Sequence, residues 1–125
     1  MDPKQLKYVE THEWIEPSGE RRKVGISDFA QDQLGDIVYV EFPEGEKEVR
    51  AGDEVCIVES TKATGTVYAP VAGRIVAYNK ALEDDPGRIN SSPFEAGWLF
   101  EVQVAAGADE SRLMGYDDYQ KVTHE

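Results

Sequence analysis

The distribution of apolar and polar positions along the chain predicts many short strands rather than long helices. Residues 7–15 (KYVETHEWI) mix aromatic and β-branched side chains and end before Pro17. Glu16-Pro17-Ser18-Gly19 reads as a turn into a returning strand at 22–27. Ser27 or Asp28 then offers an N-cap; Phe29, Ala30 and Leu34 share one side of a short helix, and Gly35 stops it. Ile37, Val38, Tyr39, Val40 and Phe42 form a strand closed by Pro43. Further strands are expected at 55–58, 67–68, 75–78 and 98–104. Residues 83–96 hold Pro86, Gly87, Pro93 and the acidic run Glu83-Asp84-Asp85, which predicts a surface loop. Residues 109–122 look helical, with Leu113, Tyr116, Tyr119 and Val122 spaced by three. Short strands punctuated by Gly and Pro predict a mainly β fold, a small sandwich or barrel with a terminal helix.

A faint internal repeat sharpens this picture. Gly35-Asp36-Ile37-Val38 resembles Gly73-Arg74-Ile75-Val76, and Gly52-Asp53-Glu54-Val55 opens a strand much as Gly97-Trp98-Leu99-Phe100 does. Two similar sheets facing each other would follow, with a tight turn carrying Lys62 at the junction of the halves.

Composition bounds the class. The 125 residues, 40% hydrophobic, suffice for one domain over 1–125 with a real core. With 13 basic and 25 acidic residues the net charge is −12, which argues against nucleic-acid binding and for basic or neutral partner surfaces. A single cysteine rules out an intramolecular disulfide, and no apolar run approaches the ~20 residues of a membrane helix. The first residues, MDPKQLKYVE, have neither an apolar signal core nor an Arg-rich transit pattern, so a bacterial or archaeal cytoplasm is expected, or a mitochondrial matrix if this is a processed chain.

Few residues invite chemistry. Cys56 lies within VCIV and reads as a buried core thiol. His12 and His124 stand at opposite ends with no second ligand at metal spacing, and 83–85 lacks the alternation of a calcium loop. No nucleophile–base pair or phosphate loop stands out. Glu59-Ser60-Thr61-Lys62-Ala63, between two strands, presents a lysine at a hairpin tip. Such a lysine serves solubility, or it is presented to a modifying enzyme that removes its charge and extends it into an arm.

The chain from Tyr8 to about Val122 resembles the H-protein family of the glycine cleavage system. The resemblance is carried by Thr11-His12-Glu13-Trp14, by Val24 to Gln31, by Leu34 to Val40, and by Val58-Glu59-Ser60-Thr61-Lys62-Ala63. Tyr68-Ala69-Pro70-Val71-Ala72-Gly73, Ala81 to Pro86, Ile89-Asn90 and Gly97-Trp98-Leu99 complete it. Biotin carriers flank their lysine with methionines, unlike Ser60-Thr61 and Ala63; lipoyl domains of 2-oxoacid dehydrogenases are shorter and usually lack the HEW strand and terminal helix. The resemblance implies a barrel-sandwich hybrid with short helices and a C-terminal helix, and lipoate in amide linkage to Lys62. It implies a non-catalytic, monomeric carrier of the aminomethyl group of glycine. Its partners would be glycine decarboxylase, an aminomethyltransferase, dihydrolipoamide dehydrogenase and a lipoate-attaching enzyme. In the family the loaded arm folds back onto a surface cleft; Glu13 matches a position there and is either placed to pair with the cargo's amine or a solvated strand residue. The family usually has Ser-Asp three and four residues after the lysine, where this chain has Gly65-Thr66, so a carboxylate toward the cargo is missing at Thr66. That departure keeps an alternative open: a lipoate-binding relative serving a bacterial sulfur-oxidation system with a heterodisulfide-reductase-like complex.

Overall fold

In the computed structural model, which describes residues 2–123, the chain folds into two antiparallel sheets. The strands are β1 (Lys7–Tyr8), β2 (Glu13–Ile15), β3 (Arg21–Ile26), β4 (Ile37–Glu41), β5 (Lys47–Val49), β6 (Glu54–Ser60), β7 (Thr64–Tyr68), β8 (Gly73–Tyr78) and β9 (Phe100–Val104). The helices are α1 (Asp28–Leu34), α2 (Ala81–Asp84), α3 (Arg88–Ser91) and α4 (Tyr116–Thr123). One sheet has the order β1-β2-β3-β9-β8-β5, the other β4-β6-β7. Their inner faces share one core: Ile15, Val24, Phe100 and Val102 from the first meet Val40, Val58 and Val67 from the second.

The repeat is visible in this topology. Its first copy supplies the antiparallel pair β4–β6, its second the pair β8–β9, each in a different sheet. Both copies carry a register shift at the same place, between Ile37 and Tyr39 and between Ile75 and Ala77. The sheets are unequal, with six strands against three, because β1, β2, β3 and β5 all join the second copy's sheet.

Three sequence expectations are corrected. The run 7–15 is a hairpin of β1 and β2 rather than one strand. The backbone reverses at His12, which holds φ 79°, and the His12 amide donates to the Val9 carbonyl at 2.9 Å. Positive φ at a non-glycine residue leaves no glycine signal in the sequence. The terminal helix is shorter than 109–122 and begins at Tyr116. Just before it Met114 bridges to Tyr8, with N–O distances of 2.7 and 2.8 Å, so the segment extends the sheet edge before it coils. Segment 83–96 is more than a surface loop: it contains α3, whose Ile89 is 0% exposed and belongs to the core, as does Leu82 on α2 just before it.

A second apolar cluster seats α4. Leu6, Tyr8, Trp14 and Tyr119 are buried together, and the Tyr8 and Tyr119 rings stack at 4.5 Å. The Trp14 indole donates to the Pro93 carbonyl at 2.9 Å and lies flat over Gly25, where an ideal Cβ would stand 2.7 Å from the ring. Among the described residues no helix is long and apolar enough to cross a membrane, and no group of three His, Cys, Asp or Glu is placed to hold a metal ion. His124 lies outside the described residues.

Candidate functional site

Lys62 sits at the tip of the turn between β6 and β7, exposed together with Thr61 and Ala63. Ser60 builds that turn. Its amide donates to the Ala63 carbonyl at 2.8 Å, and its Oγ accepts from the amides of Ala63 and Lys62 at 2.9 and 3.2 Å. The Thr61 amide donates to the Asp36 carbonyl at 3.0 Å and ties the turn to the start of β4. The backbone bearing Lys62 is therefore fixed without help from the lysine head. Its side-chain stem passes over Gly35, 3.3 Å from an ideal Cβ there; Gly35 also has φ 83° as the C-cap of α1.

Beside this turn runs a cleft of about 370 Å³ between α1 and β7. Ile26, Phe29, Ala30, Leu34, Val58 and Val67 give it an apolar lining, and Thr11, His12, Glu13, Gln33 and Thr66 bring the polar groups. Position along β7 orders these groups. At about 3.3 Å per residue, Thr66 lies roughly 10 Å from Ala63 and Tyr68 roughly 16 Å. The Tyr68 amide donates to Glu13 Oε2 at 3.3 Å, so Glu13 marks the far end.

Glu13 is 1% exposed, which excludes the solvated-strand reading. Thr11 Oγ1 donates to Glu13 Oε1. No cation pairs with the carboxyl among the described residues; burial pushes its pKa up to about 7, partly offset by the bonds from Thr11 and Tyr68. His12 is held by Tyr119, whose hydroxyl lies 2.8 Å from Nδ1 and 2.6 Å from Ser27 Oγ. Burial lowers the pKa of His12, so the neutral ring is favoured.

The expected residues thus fall into two groups. Glu59 and Ser60 end β6 and lead into the turn of Thr61, Lys62 and Ala63, while Glu13 and Thr66 line the cleft next to it. Cys56 is 4% exposed in the core and takes no part; burial pushes its thiol pKa up, away from the reactive thiolate. Asn90 carries a role that its sequence context hid. Its Oδ1 accepts from the Ile37 amide at 2.9 Å, and its Nδ2 donates to Gln31 Oε1 at 2.8 Å and the Gly35 carbonyl at 2.9 Å. One side chain on α3 therefore fixes the α1–β4 junction over which Lys62 lies. In the sequence its one signal is a polar residue following Ile89 within the family resemblance.

Gly65 has ordinary φ and a close neighbour: an ideal Cβ would stand 3.3 Å from both Leu34 Cδ atoms and 3.5 Å from Val58 Cγ2. Gly65→Val is therefore expected to lower thermal stability by about 1–3 kcal/mol through overpacking and to narrow the cleft. Thr64→Val, on the exposed neighbour, is expected to change it far less. Equal unfolding midpoints would show that Leu34 yields freely.

Residues 6–125 match the family described as Glycine cleavage H-protein. The chain is 48% identical over 120 residues to the glycine cleavage system H protein of Listeria monocytogenes serotype 4a, covering 96% of each. It is 49% identical over 123 residues to that of Micrococcus luteus, covering 97% of this chain and 96% of the relative. The crystal structure of a glycine cleavage system H protein from Mycobacterium marinum superposes with a TM-score of 0.85 at 36% identity, covering 96% of this chain and 97% of the other. The likeness spans both sheets and the helices, which is the barrel-sandwich hybrid expected from the sequence.

Proposed function

Since the chain belongs to the glycine cleavage H-protein family, we propose that Lys62 bears lipoate in amide linkage and that the neighbouring cleft receives the end of the arm. The chain is the carrier component of the glycine cleavage system and works with that system's other enzymes; the sulfur-oxidation alternative is not favoured. Within the system, glycine decarboxylase loads it, an aminomethyltransferase unloads it, dihydrolipoamide dehydrogenase reoxidises it, and a lipoate-attaching enzyme prepares it. Lipoate, when bound, supplies the disulfide that accepts and returns the aminomethyl group.

One observation carries the reading: an exposed lysine on a rigid turn stands beside an apolar cleft that ends at a buried carboxyl. The residues fit the group. Lys62 is exposed and offers a primary amine, the apolar lining suits an aliphatic chain, and Glu13 and Thr11 await a polar or cationic end. Intact mass of the protein from its native host tests this. A lipoyl increment on the peptide containing Lys62 is expected, and its absence from cells grown with lipoate would sink the reading.

The carboxyl at the cleft's end makes a second test. In the unfolded chain glutamate titrates near 4.5, and in the fold Glu13 titrates near 7. Between those values the folded state keeps a proton that the unfolded state has lost. Stability therefore falls as pH rises through this window and levels off above about 7, by an amount on the order of 3 kcal/mol. Glu13→Gln is expected to flatten that slope in urea unfolding; an unchanged slope would show Glu13 ionised throughout. A cation docked in the cleft favours the carboxylate, so Glu13→Gln should also speed release of formaldehyde and ammonia from the loaded carrier. Thr66→Asp restores a charge partway along the cleft and should slow release several-fold, about 1 kcal/mol at a partly exposed site.

A further inference from the structure

Strand β4 breaks the in–out alternation of a sheet. Ile37 and Val40 point into the core at 3% and 2% exposure, yet Val38 and Tyr39 between them are 55% and 50% exposed. A bulge is the cause. Ile37 pairs with Ser60 and Tyr39 with Glu59, so Val38 has no partner on β6 and two successive side chains share the outer face. The second copy of the repeat carries the same register shift in β8, but there Val76 and Ala77 are half-buried. Only the copy beside Lys62 is bare. Among the described residues one other large apolar side chain is comparably exposed, Val122 at 41%.

The patch is continuous with the lysine turn. β4 forms an edge of its sheet, Tyr39 stands across from Glu59, and the carbonyl of Asp36, just before the strand, accepts from the Thr61 amide. Asp36, Glu41 and Glu59 are exposed around the two apolar side chains, so the face is an apolar spot rimmed by carboxylates. Its complement is an apolar spot rimmed by basic residues.

Resting on the reading of Lys62 as the modified lysine, we propose that the Val38–Tyr39 bulge is the docking surface for the enzyme that acylates Lys62. Reach decides between this enzyme and the carrier's other partners. Acylation needs the acyl carbon of an activated donor, an acyl adenylate or a thioester, within bonding distance of Nζ itself. The deprotonated amine attacks that carbon, a C–N bond forms, the C–O or C–S bond breaks, the leaving group keeps the electron pair, and one amine proton passes to solvent while the amide nitrogen keeps the other hydrogen. The enzyme's surface therefore has to close over the turn and the strand beside it. Partners that handle the far end of a long arm are under no such constraint. A bulge that projects two side chains next to a fixed turn also gives the enzyme a landmark at a set distance from Nζ.

The test is acylation of the unmodified chain by a lipoate ligase with lipoate and ATP, followed by intact mass. Val38→Thr/Tyr39→Thr places β-branched, strand-compatible residues at both positions and is expected to raise KM for the chain about tenfold with little change in kcat, as loss of an interface anchor would. Val38→Lys, which opposes a basic partner surface, should act in the same direction, and Val122→Thr should not act at all. Circular dichroism verifies the fold of each variant. Unchanged KM in both bulge variants would overturn the proposal. So would normal acylation combined with slowed reduction of the fully lipoylated double variant by dihydrolipoamide dehydrogenase, which would give the face to a carrier partner instead. Failure of the unsubstituted chain to be acylated would be a separate result; it would remove the reading of Lys62, and the proposal with it.

Discussion

Arginine in place of Lys62 is expected to leave the fold intact and abolish carrier activity. Nothing in the fold depends on the lysine head: the turn is closed by Ser60 and Ala63, and the link to Asp36 uses the Thr61 backbone. Arginine keeps the charge and much of the length, and an exposed turn accommodates the larger head. Its guanidinium, protonated at every working pH, is no nucleophile toward an activated acyl group. The loss should be complete, because no nearby residue offers the same presentation. Lys80, for example, is placed 5.7 and 5.8 Å over the rings of Phe42 and Tyr78, away from the β6–β7 turn. Circular dichroism should match that of the unsubstituted chain while glycine–bicarbonate exchange with the partner enzymes falls to background. Normal exchange would move the attachment point to another lysine.

The lysine and its turn were legible because they lie within one short run of sequence. Glu59 to Ala63 sits between two apolar strands, and local punctuation defines the tip. The central strands were legible for the same reason: β4, β6 and β8 are dense in β-branched residues and follow glycines. The cleft is different. Its wall joins Thr11 to Glu13, Ile26 to Leu34, Val58, and Gly65 to Val67, segments that only the folded topology brings together. Glu13 was reached by family resemblance alone, and its burial was not readable, since an acidic residue in a strand ordinarily faces water. Asn90 was missed as a structural pin because its three bonds go to Gln31, Gly35 and Ile37, more than fifty residues away in the chain. The hairpin of β1 and β2 escaped because its reversal uses a histidine at positive φ. Leu113 fits the threefold spacing of a helix from 109 but packs on the main core, while Tyr116 and Tyr119 pack on the second cluster, so α4 starts later than the spacing predicts.

Gly73→Ala is expected to be among the most damaging single substitutions in the fold, although it adds only one methyl group. An ideal Cβ at Gly73 would stand 2.2 Å from the Gln103 carbonyl oxygen and 3.0 Å from both the Gln103 carbonyl carbon and Val102 Cγ2. The obstacle is backbone, so no side-chain rotation relieves it. It is the backbone of β9, which is bonded to β8 on one side and to β3 on the other, where Gln103 pairs with Arg21. Moving β9 away loosens the ladder to β8 or forces β3 to follow; moving β8 strains its pairing with β5, where Gly73 faces Val49. Overpacking by one methyl group in a core that can adjust costs about 1–3 kcal/mol, and a clash held from both sides belongs at or above the top of that range. For a domain of this size that corresponds to a fall in Tm on the order of 10 °C. Gly115→Ala is the control, since nothing lies within 4 Å of an ideal Cβ there and its φ is not positive. Its effect should stay below about 1 kcal/mol. If the two alanine variants unfold at similar temperatures, β8 and β9 can separate freely at Gly73, and the close approach there does not hold the six-stranded sheet in register.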